Sequence, residues 1–76
     1  MALEPFDSVV LLHDLPTHGL KAGDLGAIVH RHRADAFEVE FVRGSGQTQA
    51  VVTLTTADLR PVSDQDLVSV RPVEGP

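Results

Sequence analysis

Residues 14–30 read DLPTHGLKAGDLGAIVH, and this segment says most about the architecture of the chain. An apolar run at residues 9–12 leads into it, and a second apolar run, at residues 27–29, lies near its end. Glycine readily adopts a positive φ, and proline fixes φ at about −65°. Three glycines and one proline in this connection therefore predict a bent loop of defined shape between two β-strands.

The rest of the chain predicts further short strands. Phe37, Val39 and Phe41 alternate with glutamates, which is the period of a half-buried antiparallel strand. The tripeptide at residues 44–46, Gly-Ser-Gly, predicts a hairpin turn. The predicted strands cover residues 8–13, 26–33, 36–43, 47–55 and a closing edge at 60–62, with a helical turn at 56–59 capped by Thr55 or Thr56. We expect an all-β protein, a small SH3-like barrel of four to five antiparallel strands with a C-terminal extension.

Length limits the chain to one domain, because 76 residues leave no room for a second core. We assign residues 1–62 to the barrel, with Phe6 as an early core residue, and residues 63–76 to the extension. Leu67, Val68, Val70 and Val73 make the extension too apolar for a purely solvated tail. We therefore expect residues 66–73 to pair as an added strand, either on the same barrel or on a second copy in a homodimer.

Charge and composition exclude several classes of function. Eleven acidic residues against six basic ones give a formal net charge of −5, whereas binding to a phosphate backbone relies on clustered Lys and Arg. The charge balance therefore argues against nucleic acid as a partner. No signal peptide or membrane-length apolar stretch is visible, so we expect a cytoplasmic protein without a membrane partner. The chain has no cysteine, which excludes disulfides and thiolate metal sites.

Four histidines are the candidate metal ligands: His13, His18, His30 and His32. His30 and His32 lie two apart and would share one face of a strand, with a third ligand from His13, Asp14 or His18. The spacing matches no metal motif, and a solvated strand end explains the same residues. We expect no metal or other cofactor.

Basic and nucleophilic residues carry equally little chemistry. Arg31, Arg33 and Arg43 could form a basic patch, but pairing across the sheet with Glu38 and Glu40 is the favoured interpretation. The serines lie in no nucleophile motif, and the Gly-Ser-Gly turn lacks the lysine of a phosphate loop. We expect no enzymatic activity and no catalytic residue.

Three segments carry a resemblance to a known family: Asp14-Leu15-Pro16-x-His18-Gly19-Leu20-Lys21-x-Gly23-Asp24-x-Gly26, Phe37-Glu38-Val39-Glu40-Phe41-Val42 and Asp58-Leu59-Arg60-Pro61. Together they resemble a family of short bacterial proteins known only as a domain of unknown function, over about residues 6 to 62. The resemblance implies a small SH3-like barrel, distantly similar to ribosomal KOW-type and nitrile hydratase β-subunit barrels. It supplies no catalytic residues. It implies a protein partner, as in a toxin–antitoxin or immunity-type pair.

Two functions remain open at this point. The first is a protein-interaction module without chemistry of its own, with a protein partner of unknown identity or a second copy of itself. The alternative is a nucleic-acid-binding barrel resembling KOW-type domains, which rests on fold analogy alone.

Overall fold

The computed structural model describes residues 3–73. They form five strands: β1 (Ser8–Leu11), β2 (Leu25–Arg33), β3 (Ala36–Val42), β4 (Thr48–Thr55) and β5 (Leu59–Pro61). All neighbours pair antiparallel in one sheet of order β4-β3-β2-β1-β5, so the first strand lies beside the last. The sheet is not closed into a barrel, but the expected all-β, SH3-like class is confirmed.

Each strand begins and ends within two residues of its predicted bounds. The loop between β1 and β2 is ordered, as its glycines predict, and it also contains a short 3-10 helix, Pro16–His18. Gly19 ends this helix in the left-handed conformation, with φ 70°, which a side chain would disfavour. Backbone hydrogen bonds between Leu15 and Leu20 close the base of the turn.

The core lies against the inner face of the sheet. Phe37, Val39 and Phe41 of β3 are buried there, as their alternation predicts. They pack with Leu3, Val9, Leu11, Leu20, Ile28, Leu54 and Leu59. Gly26 faces β3 so closely that a Cβ atom would lie 2.8 Å from Val39 Cγ1 and 2.8 Å from Phe41 Cε2. This close approach, and not a special φ, requires glycine at position 26.

Phe6 corrects one prediction, because its side chain is 85% exposed while Leu3, at 8%, takes the place in the core. The cause is a tight turn before β1. In this turn the Asp7 N–H donates to Glu4 O at 3.1 Å, and the Glu4 N–H donates to Asp7 Oδ2 at 2.9 Å. Phe6 adopts a positive φ of 73° in that turn and points away from the core. Its backbone N–H still bonds to Ile28 O, so the turn continues the contact of β1 with β2.

Candidate interaction surface

Residues 63–73 follow β5 and cross the outer side of the sheet without forming a strand or helix; we call them the strap. The first anchor of the strap is a two-point ion pair. Arg60 donates from Nη1 to Asp66 Oδ2 and from Nη2 to Asp66 Oδ1, both at 2.9 Å. Asp66 Oδ2 also accepts the Ser63 N–H at 2.7 Å, which closes a turn at the start of the strap. These hydrogen bonds, led by that from Arg60, hold the pKa of the Asp66 carboxyl well below its usual range.

The second anchor joins the strap to the loop between β1 and β2. Arg71 donates to both carboxylate oxygens of Asp24, at 2.9 Å from Nε and 2.6 Å from Nη2, and Nη2 also donates to Gly19 O at 3.0 Å. Asp24 Oδ2 accepts the Lys21 N–H as well. Partial burial raises the pKa of Asp24, but the hydrogen bonds from Arg71 and Lys21 outweigh it and lower the pKa overall. The end of the strap is thus fixed to a carboxylate 47 positions away in the chain.

Between the two anchors, the strap covers a shallow groove and exposes apolar side chains. The groove has a volume of about 210 Å³ and is lined on the sheet side by Val10 and Leu25. The strap side chains Leu67, Val68 and Val70 are 94%, 74% and 98% exposed. A single exposed apolar side chain is ordinary, but these three form a contiguous apolar patch. The patch lies on a segment that is anchored at both ends.

The strap differs from the added strand expected at residues 66–73. On the single chain these residues pair with no strand, and their contacts with the rest of the molecule are dominated by charged groups. Pairing of the strap with a second copy stays a prediction.

The sequence reasoning missed Asp24, Asp66 and Arg71. The spacing of Ser63 and Asp66 suits a local turn and could have indicated the first anchor, whereas no local signal connects Arg71 with Asp24.

A second polar cross-link joins the end of β1 to the turn between β4 and β5. His13 Nε2 lies 2.6 Å from Asp58 Oδ1, and its Nδ1 lies 3.3 Å from Asp14 O. Both ring nitrogens therefore face acceptors, which the imidazolium form satisfies best. The hydrogen bond with Asp58 raises the pKa of His13, and the same bond lowers the pKa of Asp58. Asp58 Oδ2 also accepts the N–H and hydroxyl of Thr55, and Thr55 Oγ1 accepts the Ala57 N–H. Residues 56–58 form a turn and not the expected helical turn at 56–59, because Leu59 already begins β5.

The remaining histidines do not form the metal site that was considered. The rings of His30 and His32 meet edge to face with centroids 4.7 Å apart, and His32 Nε2 lies 3.3 Å from Glu38 Oε2. His13 and His18 lie on the loop that follows β1. Within residues 3–73, no group of three or more His, Cys, Asp or Glu side chains is placed to hold a metal ion.

The favoured pairing of Arg31, Arg33 and Arg43 with the β3 glutamates is wrong. These arginines bind Glu4, Asp35 and Gln49, respectively. Glu38 and Glu40 instead accept hydrogen bonds from the hydroxyls of Thr53 and Thr48 on β4. The physical reason is the register, which places His30 opposite Glu38 and Ala27 opposite Glu40, whereas Arg31 and Arg33 lie opposite Phe37 and Ala36. Arg43 follows β3 itself and has no place on the neighbouring strand.

Comparison with known proteins gives one match. The family model described as "Domain of unknown function (DUF4926)" matches residues 5–61. No curated protein and no solved structure matches the chain. The matched segment includes every strand and the carboxylate of Asp24, and it ends before the strap.

In the described part of the chain, no helix is long and apolar enough to cross a membrane.

Proposed function

Since the chain belongs to the DUF4926 family, whose description names no activity, we propose from its surface that it is a protein-interaction module of the bacterial cytoplasm without catalytic activity. The observation that carries the proposal is the strap. Three neighbouring apolar side chains, Leu67, Val68 and Val70, face solvent on a segment that two ion pairs hold in place. Because both ends of the segment are anchored, these side chains lose less conformational entropy on binding than those of a free tail would, which favours a protein partner.

The charge of the chain defines the complementary partner. With a net charge of −5, the module attracts a protein whose apolar patch is bordered by basic residues, because opposite charges steer association. A toxin–antitoxin or immunity-type pair, in which a small acidic protein covers a basic one, fits this chemistry.

Catalysis has no support in the contacts of the described residues. The closest approach to a catalytic arrangement is the His13–Asp58 pair, but both nitrogens of the His13 ring face oxygen acceptors and Asp58 is occupied by Thr55. The pair therefore serves as a cross-link between two loops.

Affinity purification from the native host tests the proposal with three forms of the protein. We expect the wild type to recover a specific protein, and the variant L67S/V68S/V70S to lose it while keeping its fold, since substitutions of exposed side chains change stability by about 0.5 kcal/mol or less. Val42→Ser is the matched control, because Val42 is an exposed valine outside the strap. Recovery of the wild type alone under several growth conditions contradicts the proposal.

The alternative function, a nucleic-acid-binding barrel resembling KOW-type domains, finds less support. Arg31, Arg33, Arg60 and Arg71 each lie in an ion pair with a carboxylate, so their charges are locally compensated. A mobility-shift assay at about 50 mM salt separates the two functions, since backbone binding is strongest at low salt. Retention of a nucleic acid that is lost steeply with added salt favours the alternative.

A further inference from the structure

The two edges of the sheet are protected very differently. β5 has only three residues and ends with Pro61, and both features discourage pairing with another strand. β4 has eight residues, TQAVVTLT, without a charge, a glycine or a proline, and its one neighbour in the sheet is β3. Natural edge strands of this length usually carry a device against pairing. The sequence of β4 is therefore suited to receive another strand.

The hydrogen bonds of Thr55 show which β4 residues face the free edge. Thr55 donates its N–H to Asp58 Oδ2 and accepts the Asp58 N–H, so both of its backbone groups turn away from β3. In an antiparallel strand these orientations alternate from residue to residue. The register with β3 is unbroken from Thr55 to Val51, so Thr53 and Val51 also direct N–H and C=O to the free edge. The side chain of Val51 is 49% exposed.

We propose that β4 is a self-association surface, at which two copies pair antiparallel about a two-fold axis through Val51. Val51 then lies opposite Val51 of the second copy, and Gln49 lies opposite Thr53. This register uses the outward-facing backbone groups of Val51, and the bulge that β4 forms opposite Phe41 and Val42 lies at Gln49, outside the regular segment at residues 50–55. Moving the axis to residue 52 would place Gln49 opposite Thr55, whose backbone groups are already bonded to Asp58.

A second copy suits this edge because β4 brings no like charges together. The carboxylate nearest the edge, that of Asp58, lies at the Thr55 end of β4, so the Asp58 side chains of two copies would stand at opposite ends of the paired strands. Glu38 and Glu40 lie one strand behind the edge and accept hydrogen bonds from Thr53 and Thr48. The two β3 strands of a dimer would be three strand spacings apart, about 14 Å. That exceeds the Debye length of about 8 Å at physiological ionic strength, so repulsion between the carboxylates is largely screened. The valine pair on the axis adds apolar cross-strand contact.

Charge-swapped variants test both the surface and its register. Light scattering across a concentration series should give a dimer for the wild type and monomers for Val51→Lys and for Val51→Glu, because each places like charges opposite each other. An equimolar mixture of the two variants should recover the dimer mass, since lysine then meets glutamate. Val42→Lys, at an exposed site away from the edge, should remain dimeric.

Amide hydrogen exchange of the wild type gives a test that depends on no variant. The N–H groups of Val51 and Thr53 should exchange more slowly as the protein concentration rises, and those of the strap should not change. A monomeric wild type, a dimer that survives both Val51 substitutions, a mixture that stays monomeric, or concentration-dependent protection confined to the strap would each overturn the proposal. The first three outcomes leave the partner proposed for the strap untouched, whereas protection confined to the strap would indicate that the strap itself pairs with a second copy.

Discussion

Substitution of Arg71 by methionine should release the far end of the strap while the sheet stays folded. The change keeps most of the unbranched stem and removes the hydrogen bonds of the guanidinium, two to Asp24 and one each to Gly19 O and Pro72 O. The side chains of Arg71 and Asp24 are 30% and 17% exposed, so solvent weakens the pair only in part. An exposed ion pair contributes up to about 1 kcal/mol, and a hydrogen bond to a charged group about 1.5–3 kcal/mol.

We expect the whole contact to contribute about 1–2 kcal/mol to the free energy of unfolding, because the strap also loses conformational freedom when it docks. For a domain of this size that corresponds to a fall of roughly 4–16 °C in Tm. Thermal unfolding followed by circular dichroism measures the change. Asp24→Asn and the double variant complete a cycle that isolates the coupling of the two side chains.

Acid should weaken the same contact. The pKa of Asp24 is lowered in the folded protein, so its contribution is complete above the ordinary aspartate pKa of about 3.8 and is lost as the pH falls through the folded value. If Arg71→Met leaves Tm unchanged, and a chain ending at Val62 also melts like the wild type, the strap contributes nothing to stability and the argument is refuted.

Three further outcomes test the rest of the structure. Gly26→Ala should lower the free energy of unfolding by about 1–3 kcal/mol, because the added Cβ atom has no space against β3. Gly44→Ala is the control and should be tolerated, because its Cβ atom would meet nothing within 4 Å. Chemical denaturation measures both variants. The wild type should lose stability as the pH rises above about 6.5, and His13→Asn should lose less. The hydrogen bond with Asp58 raises the pKa of His13, so this contact stabilises the fold only while the His13 ring is protonated. Phe6→Ser should change Tm little, since the ring is exposed, and a fall like that of a core substitution would contradict the observed position.

Local patterns were sufficient to predict most of the sheet. The alternation in β3 places Phe37, Val39 and Phe41 in the core because side chains of a strand point to opposite faces in turn. The hairpin at residues 44–46 and the glycine-rich loop before β2 were predicted from the conformations that glycine permits. These features depend on residues close together in the chain, and the matched family covers the same region.

Tertiary structure decided the features on which the surface depends. Phe6 and Leu3 are both apolar, and only the turn formed by Glu4 and Asp7 determines which of them enters the core. Arg71 meets Asp24 because the fold brings the end of β5 and the loop before β2 to the same side of the sheet. The sequence determined which segments are strands, since backbone preference and side-chain alternation are local properties. Which charges meet and which apolar side chains remain exposed depended on the packing of distant segments, which no local pattern encodes.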